Sequence, residues 1–189
     1  MTRLRASALL LLALALTSCS AGASPSPAAQ SPESPMRNND TFTLSSPNFP
    51  PGGAIPRQFT CDGLDVSPVL MWEGAPDRTA ALALIVDDPD ASGFVHWVAF
   101  DLTGSASGGL PEGVSSSPDA PMQGRNDFGR NGWGGPCPPS GEHRYRFTLY
   151  ALDQPLAMTG TPTARQLQDA MNGHVIGQAE LLGRYRRGS

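Results

Sequence analysis

Twice in this chain a cluster of Gly, Pro and acidic residues runs directly into an alternating, strand-like stretch, and each time a histidine stands at the start of that stretch. The first runs Asp87-Asp88-Pro89-Asp90-Ala91-Ser92-Gly93-Phe94-Val95-His96-Trp97, and the second Gly134-Gly135-Pro136-Cys137-Pro138-Pro139-Ser140-Gly141-Glu142-His143-Arg144-Tyr145. Tight turns feeding period-two runs are the grammar of short antiparallel strands. The chain carries 21 Gly and 19 Pro in 189 residues, which favours turns and short strands over long helices.

Between and around these segments the pattern stays mainly β. Residues 41–49 begin with a Phe42/Leu44 alternation, residues 55–60 form a second short run, and residues 69–72 a third. Residues 80–86 are continuously apolar and read as a central strand covered on both faces. In residues 94–102 strict alternation places Phe94, His96, Val98 and Phe100 on one face and Val95, Trp97 and Ala99 on the other. In the last long run, His143, Tyr145, Phe147 and Leu149 share one face; Arg144, Arg146, Thr148 and Tyr150 share the other. Residues 103–133 lack periodicity and read as a long functional loop or a cover for a sheet. Residues 163–172 read as a helix capped by Thr161 or Thr163 and ended by Gly173, with residues 175–179 extending it. Residues 180–186 read as a final strand. The expected fold is an antiparallel two-sheet β-sandwich with one or two short helices near the C-terminus.

The N-terminus addresses the chain. Arg3 and Arg5 precede an apolar run too short to span a bilayer, and small residues follow. Leu16-Thr17-Ser18-Cys19 resembles the bacterial lipoprotein box, which implies a signal peptide over residues 1–18 and lipid on Cys19. Residues 19–39, rich in Ser, Pro and Ala, read as a flexible tether, and residues 40–187 as the folded domain. The expected location is the extracytoplasmic face of a bacterial membrane, with lipid the only membrane contact. Losing Arg3 and Arg5 takes the 13 basic side chains to 11 against 17 acidic ones, a formal charge of −6. That balance argues against a nucleic-acid partner. With Cys19 given to lipid, Cys61 and Cys137 are an even pair in an oxidising compartment, and a disulfide between them is expected.

The two histidine segments suggest a small polar pocket at a sheet rim. Three carboxylates within four residues repel one another unless each finds a cation or a site, and Asp88 is the favoured site acid. Gly134-Gly135 lets the backbone approach a ligand and turn N–H groups toward an anion. No HxH or HxxxH spacing supports a metal site. Gly104-Ser105-Ala106-Ser107-Gly108 lacks the spacing of a nucleophile elbow, and a disulfide would remove Cys137 as a nucleophile. No catalytic residue and no cofactor are assigned.

Five stretches together resemble the phosphatidylethanolamine-binding protein family, also called Raf kinase inhibitor-like proteins, in its bacterial branch. They are Phe59-Thr60-Cys61-Asp62-Gly63 with Ser67-Pro68, the segment from Asp88-Pro89-Asp90 to His96-Trp97, Asn126-Asp127-Phe128-Gly129, the segment from Gly135-Pro136-Cys137-Pro138-Pro139 to His143-Arg144-Tyr145, and Gly177-Gln178-Ala179-Glu180-Leu181. The resemblance implies a pocket of Asp88, His96, His143 and Tyr145 beside the Pro136 and Cys137 backbone, with Asp90 at its rim, open to phosphate-type or carboxylate-type anions. Ala91-Ser92-Gly93-Phe94 departs from the family pattern, being shorter and lacking a proline after the alanine. The function expected is binding of a small anion. An inhibitor or scaffold for a protein partner such as a secreted enzyme, using residues 103–133, is the second reading, and a hydrolase the third.

Overall fold

The computed structural model describes residues 42–188. The signal peptide, Cys19 and the tether lie outside the described residues. The domain is built from β1 (Thr43–Ser45), β2 (Leu70–Glu73), β3 (Ala81–Asp88), β4 (Phe94–Thr103), β5 (Ser107–Leu110), β6 (Met122–Gln123), β7 (Glu142–Leu152), helix α1 (Ala164–Met171) and β8 (Val175–Arg186). Two antiparallel sheets result, one ordered β1-β2-β5 and the other β6-β4-β3-β7-β8. The expected mainly-β sandwich is the observed fold.

The core has two layers. Between the sheets, Leu44, Leu70 and Trp72 meet Leu82, Leu84, Val86, Trp97, Phe147 and Leu149. On the outer face of the larger sheet, Ala83, Ile85, Val98 and Phe100 pack under Leu167 and Met171 of α1. Strand β3 sits between the two layers and all eight of its residues are buried, which is why its sequence is continuously apolar until the two aspartates. Burying each large apolar side chain contributes roughly 1.5–3 kcal/mol. Thr163 caps α1 through a capping box with Gln166, whose side chain in turn accepts from the Thr163 N–H.

Three sequence expectations are corrected. Residues 55–60 form no strand: a 3-10 turn occupies Arg57–Phe59, and only Ala54 bridges to Arg184. Residues 175–179 do not extend the helix but open β8, pairing with β7 from Val175 onward. Gly173, in the left-handed region at φ 83°, ends the helix and lets the chain reverse. Gly177 then passes so close to Pro76 that a Cβ there would lie 2.8 Å from its ring, so its place is fixed by packing against a loop. The aperiodic region 103–133 carries two short strands, β5 and β6, each at a sheet edge.

The third correction bears on function. Strand β4 does not alternate strictly. Val86 pairs with Trp97 and Asp87 with Val95, so His96 is the extra residue of a β-bulge. The bulge takes His96 off the face of Val98 and Phe100, which pack under α1, and sets its ring edge-on to Tyr145 at 5.1 Å.

Candidate anion-binding pocket

Each of the three clustered carboxylates is answered by a residue of β7. Asp87 accepts from Arg146 in a two-point pair, Nε at 3.0 Å and Nη2 at 2.7 Å. Asp90 accepts from the Arg144 guanidinium at 2.7 and 3.0 Å and from its backbone N–H at 2.8 Å. That contact holds the Asp90 carboxyl down to about 2, through the Arg144 hydrogen bonds first and its charge second. Asp88 points inward and is only 3% exposed. Its Oδ1 accepts from the N–H groups of Asp90 and Ala91, closing the turn, and its Oδ2 accepts from His143 Nδ1 at 2.7 Å. Repulsion among the three acids is thus relieved by spreading them over three partners.

The turn itself is tight. Pro89–Ala91 make a 3-10 turn, Ser92 and Gly93 follow in the left-handed region at φ 57° and 77°, and Phe94 already pairs back to Asp88. This compact hairpin is how the shortened loop is accommodated.

His96 is 3% exposed and donates Nδ1–H to the Gly134 carbonyl at 2.6 Å. Burial pushes its imidazole below the ordinary histidine range, outweighing the Gly134 carbonyl and the charge of Asp88. The neutral ring with its proton on Nδ1 keeps Nε2 as the free nitrogen. Phe94 and Phe128 flank it edge-on at 5.4 and 5.3 Å. The Phe128 loop is clamped to β4, because Asp127 both donates its N–H to the Val95 carbonyl and accepts from the Val95 N–H.

The opposite wall is residues 134–139. A Cβ on Gly134 would fall 2.4 Å from the Phe128 ring, and one on Gly135 2.5 Å from the Phe59 carbonyl, so both positions exclude a side chain. Neither amide is turned to a ligand: Gly134 N–H donates to the His96 carbonyl and Gly135 N–H to Asp65 Oδ1. The expectation that these glycines present N–H groups to an anion is therefore corrected. Their amides are consumed in fastening the wall, and closeness of packing explains the glycines. The Cys61–Cys137 disulfide is present, with Cα atoms 5.5 Å apart, and Cys61 N–H donates to the Pro136 carbonyl.

Between these walls lies a cavity of about 150 Å³, lined by Asp88, Phe94, His96, Phe128, Cys137 and His143 together with Ala91, Pro138 and Pro139. One water needs roughly 10–15 Å³ and drug-sized ligands occupy about 300–1,000 Å³, so the space suits a group of a few heavy atoms. Four of the expected residues line it: Asp88, His96, His143 and Cys137. Tyr145 stands behind His96 instead. Its hydroxyl is buried without a hydrogen-bond partner, and burial pushes the phenol strongly upward, with Asp88 adding to the shift. The Cys137 main chain lies beside it and opposes that shift. Pro136 fastens to Cys61, and Asp90 lies outside the lining, on Arg144. Sequence reasoning did not single out Phe94 and Phe128 as wall residues. The signal was available, since Phe94 opens β4 and Phe128 sits in a turn too polar to bury it. Larger depressions lie elsewhere; one beside α1, about 420 Å³, is lined by Asp87 and Arg146, which already neutralise each other.

The phosphatidylethanolamine-binding protein model matches residues 45–186. The chain belongs to the phosphatidylethanolamine-binding protein family. Within the family it is 47% identical over 152 residues to a UPF0098 protein of Methanothermobacter thermautotrophicus, covering 78% of this chain and 100% of that one. It is 40% identical over 160 residues to a Mycobacterium tuberculosis protein named "Putative lipoprotein LppC", covering 80% of this chain and 76% of that one. Among solved structures, a phosphatidylethanolamine-binding protein homologue of Chlamydia trachomatis superposes with a TM-score of 0.73 at 37% identity, over 78% of this chain and 99% of that one. Escherichia coli YbcL gives 0.72 at 29% identity, with the same coverage. The two solved structures share the fold of this domain, and one sequence relative bears a lipoprotein name.

Proposed function

We propose that the domain is a lipid-anchored, extracytoplasmic binding protein that holds a small anion, phosphate-type or carboxylate-type, between His96 and His143. The observation that carries this reading is the paired arrangement of the two imidazoles. Each has its Nδ1 committed, His96 to a carbonyl and His143 to Asp88, and each lines the same small cavity. Two oriented rings grip a ligand that offers one O–H and one anionic oxygen, as a phosphomonoester does: His96 Nε2 accepts from the O–H, and His143, with Nδ1–H on Asp88, donates to the anionic oxygen from Nε2–H when the ring carries both protons. Neutral His96 accepts the ligand proton. An anion held beside Asp88 favours proton uptake at the site, so affinity rises as pH falls from 8 to 6. The aromatic walls and prolines exclude water and set the size limit.

The lipid anchor rests on the Cys19 motif and on the lipoprotein name of one relative. Thermal shift with inorganic phosphate, phosphoethanolamine and acetate tests the pocket. A stabilisation that vanishes in His143→Ala and in His96→Ala supports it; an unchanged shift in both variants, or none with any anion, overturns it. Mass spectrometry of the mature chain from a bacterial membrane fraction tests the anchor, with acyl mass on Cys19 expected.

A further inference from the structure

Strand β5 is one of the two outer strands of the small sheet, and among the described residues it pairs only with β2. Its sequence is Ser107-Gly108-Gly109-Leu110, and the first three residues are exposed. Exposed edge strands are usually blunted by charge, by proline or by a bulge. β5 carries no charged residue and no proline, and its register to β2 is unbroken. Gly108 and Gly109 also leave the backbone without side-chain cover.

Beside this edge runs a groove of about 450 Å³, lying between β5 and the end of β4. Trp72 lines it, is 6% exposed, and its Nε1 has no hydrogen-bond partner. The ring edge next to that nitrogen lies against Gly108: a Cβ there would fall 2.5 Å from Cζ2 and 2.9 Å from Cε2. The other two indoles are satisfied, Trp97 by Gln123 and Trp133 by the Phe59 carbonyl. Asp119 and Asp101, the latter already accepting from the Leu156 N–H through Oδ1, line the groove, and no arginine does. The whole stretch 79–124 contains no Lys or Arg, while Glu112 adds a further acid beside Pro111.

We propose that this groove receives an extended, basic peptide segment of another protein, which adds to β5 as a fourth strand of the small sheet. Main-chain groups of the edge beyond the Ser107 carbonyl, which already accepts from Ser105 Oγ at 2.7 Å, supply the affinity, as in strand addition generally, and the carboxylates select positive side chains. A second copy of this chain is the poorer occupant, because edge-to-edge pairing would set acidic grooves against each other. The site is separate from the histidine pocket, so failure of phosphate binding leaves this inference standing, and the reverse holds too.

The test uses the ¹⁵N-labelled full chain, fluorescein-labelled (Arg-Val)₄ and (Glu-Val)₄ peptides, and (Arg-Val)₄ with alternate amides N-methylated. Saturable anisotropy is expected for the basic peptide alone. The indole N–H resonance that disappears in Trp72→Phe should move on titration, while those of Trp97 and Trp133 stay. N-methylation should abolish binding, and Asp119→Arg should weaken it about three- to tenfold. Asp119 is exposed and its carboxylate carries no fold contact, so this variant stays folded. Equal binding of the acidic peptide, no effect of Asp119→Arg, or an unmoved Trp72 resonance overturns the proposal. So does a Trp72 resonance that moves with protein concentration alone, which would assign the edge to a second copy.

Discussion

The two walls of the histidine pocket are held by different means. The β3–β4 hairpin wall is fastened many times over: by the ladder of both strands, by the Asp88 turn, and by carboxylate pairs from Asp87, Asp88 and Asp90 to β7. The facing wall, residues 134–139, has three prolines and so few N–H groups to give. Its main chain is fastened at one end, by the Gly134 and Gly135 amides and by the Cys61 N–H on the Pro136 carbonyl, and beyond them the disulfide anchors it. The chemistry of the pocket therefore resides on the rigid side, and its width is set by the side that hangs from a sulfur bridge.

The largest effect that can break this contrast comes from the disulfide. Replacing Cys61 and Cys137 together by Ala opens a cross-link spanning 76 residues, which the chain-entropy model values at roughly 4–5 kcal/mol. A fall in Tm of about 8–15 °C is expected in calorimetry, together with loss of anion binding. A variant that loses no stability would show that the proline wall is held by packing alone.

Next comes the rigid wall. Asp88→Ala removes a buried carboxylate, leaves two turn N–H groups and the His143 ring without their acceptor, and should cost about 2–4 kcal/mol in urea unfolding. Asp88→Asn keeps an acceptor for the turn, so it should recover much of that stability while anion binding stays weak. Equal losses in the two variants would mean that the turn, and not the imidazole partner, is what Asp88 supports.

A smaller effect is a pH dependence. The folded-state value of His96 is depressed, so below the ordinary histidine value of about 6.5 the unfolded chain takes up the proton more readily. Stability should fall as pH drops from about 7 toward 5, and His96→Gln should flatten that slope in urea midpoints. A slope unchanged by the substitution assigns it to another group. The smallest effect belongs to Asp90. Its pair with Arg144 is at the surface, so Asp90→Asn should leave neutral-pH stability and anion binding within error. Because its carboxyl is held down to about 2, whatever it contributes is present above pH 4 and lost only between pH 4 and 2. Loss of anion binding in Asp90→Asn would bring this carboxylate back into the pocket.

Most of this fold is legible in the sequence because strand period and turn residues agree. Residues 80–86 are buried on both faces as their unbroken apolar run implies, and β7 keeps strict alternation, which places His143 and Tyr145 on one face. The pairing of Cys61 with Cys137 follows from counting. What sequence periodicity cannot show is where a strand slips. Alternation puts His96 on the face of Val98 and Phe100 because it has no symbol for a bulge. Residues 175–179 look like a helix extension in the sequence because a short stretch after a helix carries no period of its own. Their strand state comes from pairing with β7, a contact distant in sequence. The roles of Gly134 and Gly135 are hidden in the sequence for a related reason. A glycine beside a pocket has the same letter whether it offers its amide to a ligand or yields its space to a neighbouring ring.

The bulge at His96 has one more consequence. Val95 and Trp97 face opposite layers of the core and pair with successive residues of β3, so strand β4 is complete without the residue between them. A one-codon deletion there would close the ladder into regular register and leave both cores intact. The pocket would lose its imidazole, and the wall at Gly134 its fastening to His96, in a single step that spares the packing of both cores. Among related sequences, a strand one residue shorter at this point would mark a domain that has kept the architecture and abandoned the ligand.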